Sequence, residues 1–368
     1  MKEDYPLDGT AIVYCQGAFN TPNGKTAHGL VRFTERYKVL SIIDSSYAGN
    51  DASEVLDGKP KGIPIFRSLD EAIKQAVTGN IKVDYFVIGL APDGGSLPEF
   101  ARKDLRRALE LGLHIDNGLH DYISEDTLLQ SIASENGLKI RDIRKPLTKQ
   151  QLHFFTGKIE EVNCLKLAIL GTDSALGKRT TSWIIVHGMR KAGFKAEMIG
   201  TGQTSWMQGA KYCLIMDSII NDFVSGEIEH AVHEAWRNEY PDVIVIEGQG
   251  SLMNPAYPGG FEILAAGRPD FVILQHAPKR IEYDGFPGYP IQPLNQQINA
   301  IEIISGKKVI AITINHENML KEEIPEYCNR ITNETGLPAF DVLHQGPNEL
   351  LSVIIPFIRK KNTNEKKY

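Results

Sequence analysis

Long hydrophobic runs are missing from this chain. No stretch of roughly 18 consecutive apolar residues occurs, so the sequence predicts no membrane-spanning helix and no membrane partner. The opening residues, 1–6, contain no apolar core of the kind that a secretory signal peptide requires. We therefore expect a soluble, cytoplasmic protein.

Cysteine is scarce and positive charge is not in excess. The four cysteines lie far apart and form no metal-ligand spacing, so reduced structural thiols are expected at Cys15, Cys164, Cys213 and Cys328. The formal net charge is −6. This balance argues against a nucleic-acid partner that is bound through bulk electrostatics.

The chain is long enough for two domains, since its 368 residues exceed one average domain. Apolar runs rich in β-branched residues alternate with amphipathic stretches, which is typical of parallel strands joined by crossover helices. We predict an α/β protein of two domains, each a mostly parallel sheet flanked by helices. A charged segment around Pro146 is interpreted as the connection, which gives domains of residues 1–145 and 146–368.

The second domain begins with a strand-like run that ends in a glycine–lysine turn. The turn reads Gly171-Thr-Asp-Ser-Ala-Leu-Gly-Lys-Arg-Thr-Thr181, and a helical pattern follows it. The glycines let backbone N–H groups face an anion, the helix offers its positive end, and Lys178 can reach terminal phosphate oxygens. The pattern predicts a phosphate-binding loop, and its candidate contacts with a phosphate-bearing ligand are Gly171, Thr172, Asp173, Ser174, Gly177, Lys178, Arg179, Thr180 and Thr181.

Two details differ from the general form of such a loop. The glycines are one residue further apart than usual, and Arg179 stands where a Mg²⁺-binding hydroxyl normally follows the lysine. Thr180 comes one place later. Thr180 is therefore a candidate metal ligand whose contact with Mg²⁺ the sequence leaves open.

A carboxylate ends the strand-like run Val243–Glu247, and a glycine-rich turn follows it. Ligands gather at the carboxyl ends of parallel strands, and Mg²⁺ prefers oxygen ligands. Glu247 is thus a candidate metal ligand or general base, with capping of the next turn as the alternative. Asp222, or Asp217 before it, is a candidate second metal carboxylate, with helix capping as an equal alternative.

Two further segments are expected at the same ligand-binding edge. Residues 200–209 follow a predicted strand and are rich in glycine and hydroxyl groups. Within them Gln203 and Thr204 are candidate substrate contacts, and Gln249 in the turn after Glu247 is another.

The loop from His276 to Pro290 is the most unusual segment. Its prolines, glycines and aromatic residues favour an ordered lid. Lys279 and Arg280 suit a carboxylate or phosphate of the substrate, with a solvated basic pair as the alternative. His276 is a candidate general acid or base, or else a structural histidine.

The first domain carries weaker signals. Residues 23–26 look like a second phosphate loop but miss the glycine spacing. Asp44 ends the second predicted strand, where an acid in a dinucleotide-binding fold would meet a ribose, with a plain turn residue as the alternative. Ser68 is predicted as the N-cap of a helix.

Taken together, the motifs resemble the D-glutamate N-acetyltransferase-like family, formerly a domain of unknown function. The motifs span nearly the whole chain and are Lys25-Thr-Ala-His-Gly29, Gly171-Thr-Asp-Ser-Ala-Leu-Gly-Lys-Arg-Thr180, Gly202-Gln-Thr204, Asp222-Phe-Val-Ser-Gly226 and Glu247-Gly-Gln-Gly250. The resemblance implies an N-terminal Rossmann-like domain and a C-terminal P-loop domain. It also implies acetyl transfer from acetyl-CoA to the amine of D-glutamate.

The C-terminal half also resembles dethiobiotin synthetase. The likeness lies in Gly171-Thr-Asp-Ser174, in the longer glycine spacing and in Glu247-Gly-Gln-Gly250. It implies ATP, Mg²⁺ and activation of a carboxylate.

Three hypotheses follow for the function. The first is an N-acyltransferase that uses acetyl-CoA and D-glutamate or a related amino acid, with Lys178, Glu247 and His276 as catalytic candidates. The second is an ATP- and Mg²⁺-dependent ligase or kinase that forms an acyl phosphate. The third is a non-catalytic nucleotide-binding regulator. The enzyme hypotheses share a small amino-acid-like substrate, and a homo-oligomer is expected.

Overall fold

A computed structural model describes residues 8–365 of the chain. The chain divides into two compact units. The first comprises the described residues through Pro146 together with Gln203–Ala210, and the second comprises Leu147–Gly202 and the described residues from Lys211 onward. No helix in the described part is long and apolar enough to cross a membrane. The opening residues, on which the expectation about a signal peptide depends, lie outside it.

The first unit is built on a sheet of six parallel strands, in the order β3-β2-β1-β4-β5-β6. The strands are β1 (Gly9–Tyr14), β2 (Tyr37–Ile43), β3 (Ile65–Phe66), β4 (Tyr85–Ile88), β5 (His114–Asn117) and β6 (Ile140–Asp142). The helices of the same stretch are α1 (Lys25–Arg32), α2 (Ala52–Asp57), α3 (Leu69–Thr78), α4 (Glu99–Glu110) and α5 (Thr127–Glu135). This strand order is that of Rossmann folds, so the predicted fold class is confirmed for this unit.

A short helix from the second half of the sequence completes the core of the first unit. This helix, α7 (Gln203–Gln208), contributes the fully buried Met207 to the hydrophobic cluster around β1 and β4. The side-chain amide of Gln208 donates to the carbonyls of Gly29 and Phe33 at 2.8 and 2.9 Å. The predicted second domain of residues 146–368 included this helix, whereas its packing groups it with the first unit.

The second unit is built on seven parallel strands in the order β13-β12-β11-β7-β10-β8-β9. The strands are β7 (Leu165–Gly171), β8 (Ala196–Gly200), β9 (Tyr212–Cys213), β10 (Val243–Glu247), β11 (Phe271–His276), β12 (Lys308–Ile314) and β13 (Ala339–Phe340). The helices are α6 (Lys178–Lys191), α8 (Asn221–Glu239), α9 (Phe261–Ala266), α10 (Leu294–Ser305), α11 (Ile324–Thr335), α12 (Val342–Gln345) and α13 (Asn348–Glu365). The predicted parallel α/β fold is therefore confirmed here as well.

The central strand of the second sheet is β7, which pairs with β10 on one side and β11 on the other. All seven residues of β7 and all five of β10 are buried, because helices cover both faces of a parallel sheet and exclude water from it. The carboxyl ends of the parallel strands share one edge. The segments that follow β7, β10, β11 and β12 are thereby brought together.

Candidate functional site

The predicted phosphate loop connects the end of β7 to the start of α6, and two glycines fit its backbone. Gly177 has a φ of 93°, a left-handed conformation that glycine adopts without steric cost. A Cβ atom on Gly171 would lie 2.9 Å from Cδ and 3.0 Å from Nζ of Lys178. The loop therefore needs glycine at one position for its turn and at the other for the close approach of the lysine.

Lys178 is buried at the centre of this loop. Its Nζ donates to the carbonyl oxygens of Asp173 and Gly250 at 2.7 and 2.8 Å. Burial lowers the pKa of Lys178 from 10.5 to about 8, although the negative charges of Asp173 and Glu247 act in the opposite direction. The ammonium group is thus still mostly protonated at neutral pH and available to an anion that enters the loop.

The carboxylate of Asp173 is fully buried and holds the loop to its neighbours. Its Oδ1 accepts from the backbone N–H of Ser174 and from the amide of Asn254, both at 2.7 Å. Its Oδ2 accepts from Arg280 and from the backbone N–H of Asp284, both at 2.8 Å. Asp173 was predicted to contact the ligand; in the structure both of its oxygens bind protein donors.

The two cations of the lid-like loop are paired with acids. Arg280 donates through Nε and Nη2 to the two oxygens of Glu317, both at 2.6 Å, and through Nη1 to Asp173. Burial lowers the pKa of Arg280, but the hydrogen bonds to Glu317 and Asp173 outweigh it and raise that pKa above its ordinary value. Lys279 donates to both oxygens of Glu323 at 2.8 Å. Both predicted substrate contacts therefore make ion pairs within the second unit.

His276, at the end of β11, lies beside the phosphate loop. Its Nδ1 is 2.9 Å from the hydroxyl oxygen of Thr172. Burial, together with the positive charges of Arg280 and Arg330, lowers the pKa of His276 to about 4. The imidazole is neutral at pH 7, and a group with this pKa is a weak general base.

Thr180 and Thr181, near the start of α6, differ in their surroundings. The hydroxyl of Thr181 donates to the side-chain oxygen of Gln275 at 2.6 Å, and Thr313 donates to the same oxygen. Thr181 thus ties α6 to β11 and β12. Thr180, the candidate metal ligand, is half-buried in the first turn of the helix.

Glu247 is buried at the end of β10, next to β7, where the sequence predicted it. Its Oε2 accepts from the backbone N–H of Thr201 at 2.9 Å. The amide of Gln249 donates to the hydroxyl of Thr201 at 3.0 Å. Glu247 and Gln249 therefore share one partner at the carboxyl edge of the sheet.

The predicted metal ligands do not form a dense carboxylate cluster. Within residues 8–365 no group of three or more His, Cys, Asp or Glu side chains has a geometry that could hold a metal ion. Asp222 is exposed in the first turn of α8. A Mg²⁺ ion bound mainly through phosphate oxygens needs only one or two carboxylates, and the roles of Thr180 and Glu247 as its ligands stay a prediction.

Gln203 and Thr204 belong to the first unit, in α7. Both are buried, and the hydroxyl of Thr204 lies 2.9 Å from that of Thr26 in α1. Asp44 also forms its hydrogen bonds within this unit. Its carboxylate accepts from the backbone N–H groups of Phe19 and Ser46, each at 2.8 Å. A strand-end acid that binds its own loop in this way is a turn residue, the alternative weighed from the sequence.

Sequence reasoning did not identify three residues that contact the phosphate loop, Asn254, Gln275 and Asn315, or Glu317, which binds Arg280. Each of the four lies at the end of β11 or in the segment that follows β10 or β12. Their one common signal is a polar residue at or just beyond the carboxyl end of a buried parallel strand.

Two family models match the chain. One is described as a domain of unknown function (DUF1611_C) P-loop domain and matches residues 153–351, which is more than half of the chain. The other is described as a domain of unknown function (DUF1611_N) Rossmann-like domain and matches residues 45–146. The resemblance drawn from the sequence motifs is confirmed by these matches.

Curated relatives and a solved structure agree with the family models. The chain is 29% identical over 274 residues to a D-glutamate N-acetyltransferase of Tritonibacter scottomollicae, covering 73% of this chain and 80% of the relative. Identity, aligned length and coverage are the same for a D-glutamate N-acetyltransferase of a Pseudoalteromonas species. A crystal structure of a DUF1611 family protein from Anabaena variabilis superposes with a TM-score of 0.86 at 27% identity, covering 94% of this chain and 99% of that one.

Proposed function

Since the chain belongs to the DUF1611 family, whose members join a Rossmann-like domain to a P-loop domain, we propose that it is an N-acyltransferase. In this proposal acetyl-CoA is the donor and D-glutamate or a related amino acid is the acceptor. The observation that carries the proposal is the alignment with two relatives that bear the name of this activity. An identity of 29% supports the class of reaction more strongly than the acceptor.

The phosphate loop suits the phosphates of the donor. Backbone N–H groups between β7 and α6 and the positive end of the helix favour an anion. Lys178 adds a buried cation that exchanges its two carbonyl partners for phosphate oxygens. The loop would thus bind the phosphate end of acetyl-CoA, and the thioester at the other end would be accessible to the amine of the acceptor.

The acceptor must lose a proton before its nitrogen attacks, because an ammonium ion has no free electron pair. Glu247 at the end of β10 and His276 at the end of β11 are the two candidates for this base. The amine then forms the C–N bond, the carbonyl oxygen becomes an oxyanion, and the C–S bond breaks to release CoA. A backbone N–H group would stabilise the oxyanion.

A second candidate is an ATP-dependent ligase or kinase. The observation that favours it is the position of Glu247, whose strand pairs directly with the strand that leads into the phosphate loop. In this arrangement Lys178 and a Mg²⁺ ion held by Thr180 and Glu247 would neutralise charge while a phosphoryl group moves to a substrate carboxylate.

A donor assay separates the two candidates. The protein is incubated with D-glutamate and related amino acids, with acetyl-CoA in one series and ATP with Mg²⁺ in the other. Acyl transfer predicts free CoA in the first series and no acceptor-dependent loss of ATP in the second. Acceptor-dependent release of ADP without release of CoA would replace the acyltransferase with the ligase or kinase. Turnover in neither series would favour a nucleotide-binding regulator.

A further inference from the structure

The phosphate loop is held from outside by side chains of three neighbouring segments. The segment after β10 supplies Asn254, which donates to Asp173 at 2.7 Å. The segment after β11 supplies Arg280, which donates to Asp173 and also to the carbonyl of Ser174 at 2.9 Å. The segment after β12 supplies Asn315, which donates to the carbonyl of Leu176 at 3.1 Å.

Glu317 affects the loop indirectly, through its contact with Arg280. Its two carboxylate oxygens accept from Nε and Nη2 of the Arg280 guanidinium, both at 2.6 Å, a bidentate geometry that fixes the plane of that group. The remaining side of the guanidinium then faces Asp173 and Ser174. The orientation of Arg280 toward the phosphate loop is therefore set by a residue that does not itself touch the loop.

Asn254 has a comparable position on the other oxygen of Asp173. It is buried, and its own side-chain oxygen accepts from the backbone N–H groups of Ala256 and Tyr257 at 2.9 and 2.7 Å. These two hydrogen bonds orient the side-chain amide of Asn254 toward Asp173.

We propose that Glu317 and Asn254 are positioning residues that act through Arg280 and Asp173 to keep the phosphate loop in its anion-binding conformation before the ligand arrives. The proposal rests on the proposed function in one respect, that this loop receives the donor phosphates. The effect of these residues on the loop is expected in the protein without ligand. If the loop adopts its anion-binding conformation in only a fraction of the molecules, its apparent affinity for the ligand falls in proportion to that fraction.

The chain offers a matched control for Glu317. Glu323 also pairs with a cation of the lid-like loop, Lys279, in a two-oxygen contact. The side chains of Glu317 and Glu323 are 28% and 32% exposed, so a change to glutamine occurs at a similar degree of burial at both positions. Of the two cations, Arg280, the partner of Glu317, binds Asp173, whereas Lys279 pairs with Glu323.

The test compares Glu317→Gln with Glu323→Gln in the full chain. Hydrogen exchange of the backbone amides of residues 172–178 is measured without ligand, and thermal unfolding is recorded for both variants. We expect exchange in this segment to become about 10-fold faster in Glu317→Gln and to stay as in the wild type in Glu323→Gln. Asn254→Ala should act in the same direction as Glu317→Gln, and its larger effect on stability makes it the secondary variant.

Equal exchange in the two glutamine variants, or unchanged exchange in Glu317→Gln, would overturn the proposal. A second arm measures the binding of CoA and of ATP with Mg²⁺ by calorimetry. Glu317→Gln should raise the Kd of whichever compound the wild type binds by about 10-fold, while kcat at saturating donor stays near that of the wild type. If the wild type binds neither compound, the proposed function fails, whereas the exchange result still decides the positioning role.

Discussion

At the scale of single residues, we propose that donor binding depends most on the side chain of Lys178. It is buried, bonds two backbone carbonyls of the loop and lies where a phosphate would replace them. We expect Lys178→Ala to weaken binding of the donor by about 10-fold or more, because a charge-assisted phosphate contact is lost. Calorimetry with acetyl-CoA and with ATP measures this. Lys191→Ala, at the exposed far end of the same helix, is the control and should bind as the wild type does.

We predict that the same lysine makes donor binding depend on pH. Burial lowers the pKa of Lys178 to about 8, so the ammonium form is held below that value and is lost above it. An anionic donor binds the protonated form, and its affinity should fall as the pH rises from about 7 to about 9. Lys178→Met, which has no titrating group, should show a flat profile over that interval. A wild-type affinity that does not change with pH would contradict the assignment of Lys178 as a phosphate contact.

The residues of the loop itself could be predicted from the sequence, whereas those that hold it could not. Gly171, Gly177 and Lys178 lie within one short segment whose spacing carries the signal. Asn254 meets Asp173 across 81 residues. Such a contact depends on which strand ends lie side by side, and a single sequence does not give the strand order. Lys279 and Arg280 were predicted as substrate contacts because adjacent cations suit a carboxylate or phosphate. Their acidic partners lie 44 and 37 residues away in sequence, so the sequence did not reveal the two ion pairs.

At the scale of helices and strands, local signals predict where an element begins. Ser68 was predicted as an N-cap, and its hydroxyl accepts from the backbone N–H of Glu71 at 3.3 Å at the start of α3. Its backbone is extended, as the residue before a helix usually is. The bond satisfies one of the free N–H groups of the first turn and is formed within four consecutive residues, which is why sequence alone reveals it.

Ser68→Ala should lower the free energy of unfolding by about 1 kcal/mol, because that N–H group loses its partner. The measurement is urea unfolding followed by circular dichroism. Ser134→Ala, near the end of α5 and exposed, replaces a serine that caps no helix start and should change stability by only a few tenths of a kcal/mol. Similar losses in both variants would show that the cap contributes nothing of its own.

At the scale of the whole molecule, the alternation of strands and helices predicts two parallel sheets, but it does not predict that the chain crosses between units. Residues 203–210 follow a strand of the second sheet, so sequence reasoning kept them with that sheet. Their buried side chains instead pack in the first unit, where Thr204 contacts Thr26 across 178 residues. The motif residues in α7 therefore have a role in the core of that unit.

Met207 tests this role in the intact chain. The side chain is fully buried in the core of the first unit, and Met207→Ala should cost about 2–5 kcal/mol in the free energy of unfolding of that unit. Met253, which is 50% exposed, provides the control, and Met253→Ala should be close to neutral. The readout is denaturant unfolding with hydrogen exchange to identify the unit that opens. Equal and small effects at the two positions would mean that α7 is dispensable for the core.

We propose that the phosphate loop serves acyl transfer to an amine, and nuclear magnetic resonance with an isotopically labelled acetyl group on CoA tests this role most directly. The protein, the labelled acetyl-CoA and D-glutamate are mixed without ATP, and the signal of the label is followed. We expect the label to move from the thioester to an amide, and we expect Lys178→Ala to slow the transfer while Lys191→Ala does not. A label that stays in the thioester with D-glutamate and related amino acids, while ATP is consumed in a parallel sample, would contradict it.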